Sequence, residues 1–433
     1  MANELNKNLS LSGLTMIAIG SCIGSGIFLT PSEIATHLPS SGPILLVWIL
    51  GGVIALTGAL TFAELGGIFT GTGGVYVYLK EAYGPLVAFL YGWISFTVIS
   101  TGAIAALMLA FARYVDYLLH VGSGGVRIIG LAGIVVVTVI NIFGVKLGEY
   151  FAKIFTGLKL AGIFFIVAAG AWFFFNSGSI ASSFSVRGFQ SSSFALALVG
   201  VLWSYGGWHH ASYLAGEAVN PERTVPRAML LGTIVVVITY LLTNLSYLFL
   251  LPVEDIAGSS AVAADAVGVI FQKGGVFVAL LIAISTFGTA GIYTLSAPRI
   301  YFAMANDGIF FKQLSKVHPR WKTPVNAIIA QSVWAIVLLI FWSTFENLIS
   351  YVVFMDILFM TLAGTSIFIF RKKHPGVNRP YRVFAYPLTP LIFITISVWF
   401  LAFTLAGKPA QAWAGIAMAA AGVLIYYFFK KKN

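Results

Sequence analysis

Residues 20–28 read GSCIGSGIF: three glycines, two serines and a cysteine inside a run apolar enough to cross a membrane. Glycine in a helix interior costs about 1 kcal/mol relative to alanine. Within lipid, an unpaired N–H or C=O has no water to bond, so unwound backbone persists only where it lines a cavity or packs in protein. The stretch therefore predicts an interruption of a membrane helix, close to the midplane and facing the protein interior.

Composition supports that setting. The chain has 433 residues, 59% hydrophobic and 9% charged, with a mean hydropathy of +0.94. Soluble domains carry about 25% charged residues, so a soluble protein is excluded. Apolar runs of about 20 residues recur, the length of a membrane-spanning helix, which excludes the short alternating strands of a β-barrel. Cys22 is the only cysteine, so no intramolecular disulfide can form. No small-residue cleavage pattern follows Glu4 and Lys7, and no cleavable signal peptide is expected.

Hydropathy places twelve spans near residues 11–37, 43–69, 82–112, 126–145, 151–175, 194–217, 226–251, 274–305, 323–343, 345–370, 386–406 and 409–429. No soluble domain separates them, so residues 1–433 read as one transmembrane domain. With twelve spans both termini share a side, and 19 of the 25 lysines and arginines fall on it, against five opposite and Lys159 within a span. The positive-inside rule then puts both termini in the cytoplasm of a plasma-membrane protein. It also accounts for the basic balance without nucleic acid. The runs RKKH (371–374) and KKK (430–432) are juxtamembrane, where lipid is the expected partner.

A second interruption is predicted in the sixth span, LWSYGGWHHASYLAGE (202–217), where Gly206 and Gly207 fall near its middle. Interruptions in spans one and six divide ten helices into two sets of five. That pattern points to inverted repeats with a midplane binding site: residues 11–175 and 194–370, followed by two extra helices at 386–429. The competing reading is that these glycines only permit close helix packing. A dinucleotide-binding reading fails, because GSG follows no strand and lacks a third glycine.

Unwinding at Gly24–Gly26 exposes the amides and positive dipole end of the following half-helix, which suit a carboxylate. Half-helices ending near Ile19–Gly20 and near Trp203–Tyr205 present carbonyls, which suit an ammonium. Amides on one side and carbonyls on the other complement a zwitterion, so an amino acid is the expected substrate.

These residues resemble the amino acid–polyamine–organocation transporters, whose fold is a five-plus-five inverted repeat with broken helices 1 and 6. IGSCIGSGIF (19–28) resembles the first-helix motif, and TFAELGGIFTGTGGVYVYLKEAYGPLVAFLYGW (61–93) the signature from the second to the third helix. YGGW with GEAVNPERTVPRA (216–228) is similar to the sixth-helix region, SAPRIYFAMANDG (296–308) to the end of the eighth, and RKKHPGVNRPYRVFAYPLTP (371–390) to the loop before the eleventh. Within the family the chain looks most like the L-type exchanger branch and its bacterial relatives. The resemblance implies that Ser25 and Gly26 contact the substrate carboxylate and that Gly24 permits the approach. It further implies that Ile19 and the backbone of Trp203, Ser204 and Gly206 meet the amino group, with Trp203 as an outer gate. Many L-type members have phenylalanine at that gate, so side-chain specificity is not carried over.

A lysine inside a membrane costs about 2.5–3.5 kcal/mol on insertion scales, which makes a functional role for Lys159 the default reading. The alternative is snorkelling to the cytoplasmic interface. In sodium-independent relatives the lysine at this motif position sits against the broken first helix, where sodium-coupled cousins hold their cation. The resemblance thus implies a coupling role for Lys159 without sodium. Ser285, Thr286 and Thr289 are the competing oxygen ligands for an ion. Asp356 lies mid-span, where a lone acid is expensive. Glu64 and Glu217 are expected to pair with arginines such as Arg299 or Arg227. His209 and His210 point about 100° apart on a helix and cannot chelate one metal. No G-x-S-x-G elbow is present.

No enzyme activity, metal or cofactor is therefore expected. The reading is a sodium-independent exchanger of neutral L-amino acids working by alternating access, without a disulfide-linked ancillary subunit. A proton-coupled symporter or a cationic amino acid antiporter stays open. So, from another class, does a passive channel or an amino acid sensor.

Overall fold

The computed structural model describes residues 5–177, 181–182, 184–186, 190–341, 345–407 and 409–432, without the side chains of 345–348, 411 and 431–432. Arg187 and Lys408, two of the five cations assigned to the outer side, fall outside the described residues.

In chain order the helices are α1 (Leu11–Cys22), α2 (Gly26–His37), α3 (Ser41–Ile68), α4 (Val75–Tyr83), α5 (Pro85–Ile94), α6 (Ser100–Leu119), α7 (Gly122–Ile142), α8 (Val145–Ser177), α9 (Ser191–Tyr205) and α10 (His210–Tyr213). They continue as α11 (Pro221–Leu250), α12 (Val253–Gly258), α13 (Val262–Gly268), α14 (Gly274–Ser296), α15 (Pro298–Asn306), α16 (Val325–Phe341), α17 (Phe345–Lys373), α18 (Leu388–Gly407) and α19 (Pro409–Lys432). Prolines open α5, α11 and α15, where a missing N–H costs nothing and the fixed φ suits a helix. A π turn at Ser95–Ile99 joins α5 to α6, so that Pro85–Leu119 forms one span.

Among the described residues ten stretches are long and apolar enough to cross a membrane, and α9 and α16 are shorter apolar helices. The chain is thus a multi-pass, all-helical membrane protein. Burial separates centre from rim. The apolar windows of Leu11–His37 and Pro85–Leu119 are 83% buried, whereas those of α7 and α8 are 33% buried and turn Ile128, Phe164 and Trp172 outward. The stretch GSCIGSGIF (20–28) therefore runs through the middle of the bundle.

α3 packs along α11, α6 along α14, α1 against both α11 and α8, and α2 against α9. Just before α1, the Asn8 and Leu9 amides donate to the Glu217 carbonyl (2.9 and 2.8 Å), and the Val219 amide returns a bond to Leu9 (3.0 Å). This parallel bridge ties the start of the first span to the chain beyond α10.

Candidate functional site

The α-helical ladder of α1 ends with the Ile23 amide donating to the Ile19 carbonyl at 2.9 Å. Ile23 then leaves helical geometry, at φ −76° and ψ 85°. α2 restarts at Gly26, with the Phe28 and Leu29 amides donating to the Ser25 carbonyl (3.1 and 3.0 Å). The first half-helix therefore ends at Cys22, two to three residues later than the expected Ile19–Gly20. Ile19 keeps its carbonyl in the ladder, which leaves it one lone pair rather than a free acceptor. The buried amides of Ser25, Gly26 and Ile27 donate to no described residue. They form an N-terminal anion cradle of the kind a carboxylate fits.

α9 stops at Tyr205, and the Gly206 amide closes it on the Leu202 carbonyl at 2.9 Å. Gly207 follows at φ +116°, a region L side chains avoid. A β-carbon there would also sit 2.6 Å from the Ser21 carbonyl oxygen. The two interruptions touch at this point. Ser21 Oγ donates to the Gly207 carbonyl at 2.8 Å, and Cys22 Sγ lies 3.5 Å from the Tyr205 carbonyl. On the other flank a β-carbon on Gly26 would fall 2.8 Å from Ser204 Cα. Gly26 thus permits α2 to approach α9. Trp203 Nε1 donates to Ser25 Oγ at 3.3 Å across the same seam. Ile19, Gly24, Ser25, Gly26, Trp203, Ser204 and Gly206 consequently flank one pair of facing chain breaks.

Lys159, on α8, is fully buried. Its ammonium donates to the carbonyls of Gly20 (3.0 Å) and Ile23 (2.7 Å) and to Thr289 Oγ1 (2.6 Å). Those three bonds use all three protons, and a cation at a helix C-terminus meets the negative end of its dipole. Lys159 does not snorkel. Thr289 Oγ1 lies 2.8 Å from both the Gly20 and Ile23 carbonyls, and Ser285 Oγ donates to Gly24 at 2.9 Å. These two hydroxyls face the helix-one carbonyls beside the ammonium, whereas Thr286 Oγ1 bonds within its own helix, to Ile282.

Sequence reading missed Tyr240. Its hydroxyl lies 2.9 Å from the Cys22 carbonyl and 3.0 Å from that of Ser204, so one proton serves both half-helix ends. The available signal was a stripe at intervals of seven on α11: Thr233, Tyr240 and Tyr247, all buried. Tyr247 reaches Ile27 at 3.3 Å. The histidines play another part: His210 Nδ1 meets Ser296 Oγ at 2.6 Å, and its ring lies against Tyr293. Among the described residues no group of three His, Cys, Asp or Glu could hold a metal ion.

Ion pairs lie beyond the breaks. Arg299 grips Glu217 with two bonds (2.7 and 2.9 Å), both side chains fully enclosed. Glu64 pairs instead with Arg371 (2.9 and 2.6 Å) and Arg379 (3.2 Å), and accepts from the Val383 amide at 2.7 Å. Glu64 therefore ties α3 to the loop after α17.

Many spans, enclosed polar backbone at their centre and a buried ammonium define a multi-pass membrane transporter. The chain belongs to the amino acid permease family, whose profile matches residues 9–429, and within it to the L-type branch and its bacterial relatives. It is similar to the serine/threonine exchanger SteT of Bacillus subtilis, at 34% identity over all of this chain and 98% of that one. It is also similar to the human b(0,+)-type amino acid transporter 1, at 32% identity over 98% of this chain and 88% of that one. The human cystine/glutamate transporter is 29% identical over 98% of this chain and 86% of its own length. The family and these relatives are transporters rather than enzymes.

Proposed function

We propose that the protein is a sodium-independent exchanger of neutral L-amino acids working by alternating access. The observation that carries this reading is the pair of facing interruptions. Three amides at the start of α2 donate to no described residue, and the carbonyl-bearing ends of α1 and α9 lie alongside. Amides suit the substrate carboxylate and carbonyls its α-ammonium, so backbone alone recognises the zwitterion. Ser25 and Gly26, approached past Gly24, take the carboxylate. Ile19, Ser204 and Gly206 take the amino group, and Trp203 closes over the substrate from outside.

Lys159 supports sodium independence, since its ammonium fills the space between helix-one carbonyls and Thr289. A protein-borne charge there does the work of a bound cation, so no cofactor or metal is required. Twelve spans arranged as repeats at 11–175 and 194–370, with additional helices at 386–429, agree with the helix pairing: second span on seventh, third on eighth. Both termini then face the cytoplasm across the plasma membrane. The single cysteine is buried on the first span, which argues against a disulfide-linked ancillary subunit. Exchange is the activity named for one similar protein, the serine/threonine exchanger.

Ser25→Trp tests the site by filling the cradle. Purified Ser25→Trp protein should lose binding of alanine and serine while its elution profile and unfolding midpoint stay near wild type. Normal binding by that variant would move the site elsewhere.

A further inference from the structure

On the membrane face opposite the termini, the α6–α7 turn and the end of α16 frame a cleft of about 440 Å³. The three helices pack on one another there. The lining combines Arg113, Asp116, Ser123 and Arg127 with the apolar Leu109, Leu339 and Ile340. Cations are sparse on this face: of the three described ones, Arg113, Arg127 and Lys273, two meet in this cleft. Neither arginine makes a hydrogen bond or ion pair with a described residue, whereas Arg299, Arg371 and Arg379 are all held by carboxylates. Asp116 Oδ1 accepts the Gly122 amide at 2.8 Å. Two guanidiniums against one carboxylate leave one positive charge uncompensated.

Arg113 lies six residues before the end of α6, and Arg127 five residues after the start of α7. At 1.5 Å per residue each sits roughly 8–9 Å inside its helix end, within reach of the headgroup layer for a long side chain. Ile340 lines the cleft yet stays exposed, as do Ile128 and Phe341 nearby in sequence. We infer that the cleft binds one anionic phospholipid of that leaflet, its phosphodiester bridging Arg113 and Arg127 and its acyl chains covering the apolar rim. Guanidinium N–H groups match phosphate oxygens in geometry and charge. A phosphodiester carries the single negative charge that the cleft lacks, whereas a zwitterionic headgroup brings its own cation and leaves the excess in place. Free phosphate shares the anionic chemistry but leaves the apolar side of the cleft uncovered. The bound lipid ties the α6–α7 turn to the end of α16.

The test is native mass spectrometry of the delipidated, full-length protein titrated with phosphatidylglycerol or phosphatidylcholine. Wild type should bind phosphatidylglycerol at least about tenfold more tightly than phosphatidylcholine. The double variant Arg113→Gln/Arg127→Gln should bind one phosphatidylglycerol fewer, its affinity at this cleft falling about tenfold or more. Lys372→Gln/Lys430→Gln, on the face that carries the termini, should keep that lipid. Equal phosphatidylglycerol binding by wild type and the arginine variant overturns the inference, and so does equal wild-type affinity for the two lipids. Glycerophosphoglycerol and inorganic phosphate at millimolar concentration should not displace the lipid. Displacement by either would make the cleft a site for a free anion and also overturn the inference. Both arginines are exposed, so the variant should fold. Should it not, Arg113→Gln and Arg127→Gln singly must each weaken phosphatidylglycerol binding by a smaller factor, and no change in either refutes the site.

Discussion

Lys159 shows what one residue must do in this fold. The carbonyls of Gly20 and Ile23 have lost their helical donors, and its ammonium supplies replacements at 3.0 and 2.7 Å. An unsatisfied buried acceptor costs about 1–3 kcal/mol. Lys159→Ala should therefore lower the unfolding midpoint of the detergent-purified protein and reduce exchange severely. An unchanged midpoint and rate would show that the ammonium does not hold the break. Tyr240→Phe should have the same sign with a smaller effect, about 1 kcal/mol for one hydroxyl, read from the same melts. The contrast between these two residues explains what was legible. A lysine in an apolar run announces itself because nothing but function or a partner justifies its cost. A tyrosine in such a run is compatible with ordinary packing, and only the acceptors at Cys22 and Ser204 reveal its role.

At the scale of elements, the interruptions are held to each other as well as interrupted. Gly207 stands at φ +116° with the Ser21 carbonyl against it. Gly207→Ala should cost about 1–3 kcal/mol of backbone strain and weaken amino acid binding, because the alanine methyl pushes α1 away from the helix-six break. Binding isotherms of this variant equal to wild type would show that the contact plays no part in recognition. The Glu217–Arg299 pair fastens the chain beyond α10 to the start of α15, with neither side chain exposed. Glu217→Gln leaves the guanidinium uncompensated and should destabilise the fold by about 3–5 kcal/mol, measured as a fall in unfolding temperature. The glycines mark where helices one and six stop being regular, but they do not mark the last bonded residue. α1 continues to Cys22 because the Ile23 amide reaches back to Ile19, a choice made by tertiary contacts with Ser21, Lys159 and Thr289. The arginine partners of Glu64 were equally illegible, because they come from a segment more than 300 residues away.

For the molecule as a whole, composition and run length were enough for a many-helix membrane protein, since hydropathy is a local property. Which spans pair was not, because α3 against α11 and α6 against α14 are long-range choices that periodicity does not encode. Whole-molecule behaviour follows from the site. With the Lys159 ammonium in place, replacing sodium by choline should leave uptake unchanged, and a strong dependence on sodium would contradict the assignment. The central claim is exchange through the paired breaks, and vesicle loading tests it most directly. Labelled neutral amino acids are offered to sodium-free proteoliposomes, half preloaded with unlabelled alanine, serine or leucine and half empty. Uptake should be rapid into the loaded vesicles and slight into the empty ones. Equal uptake into both, rising with an inward proton gradient, would contradict exchange and make the protein a proton-coupled symporter.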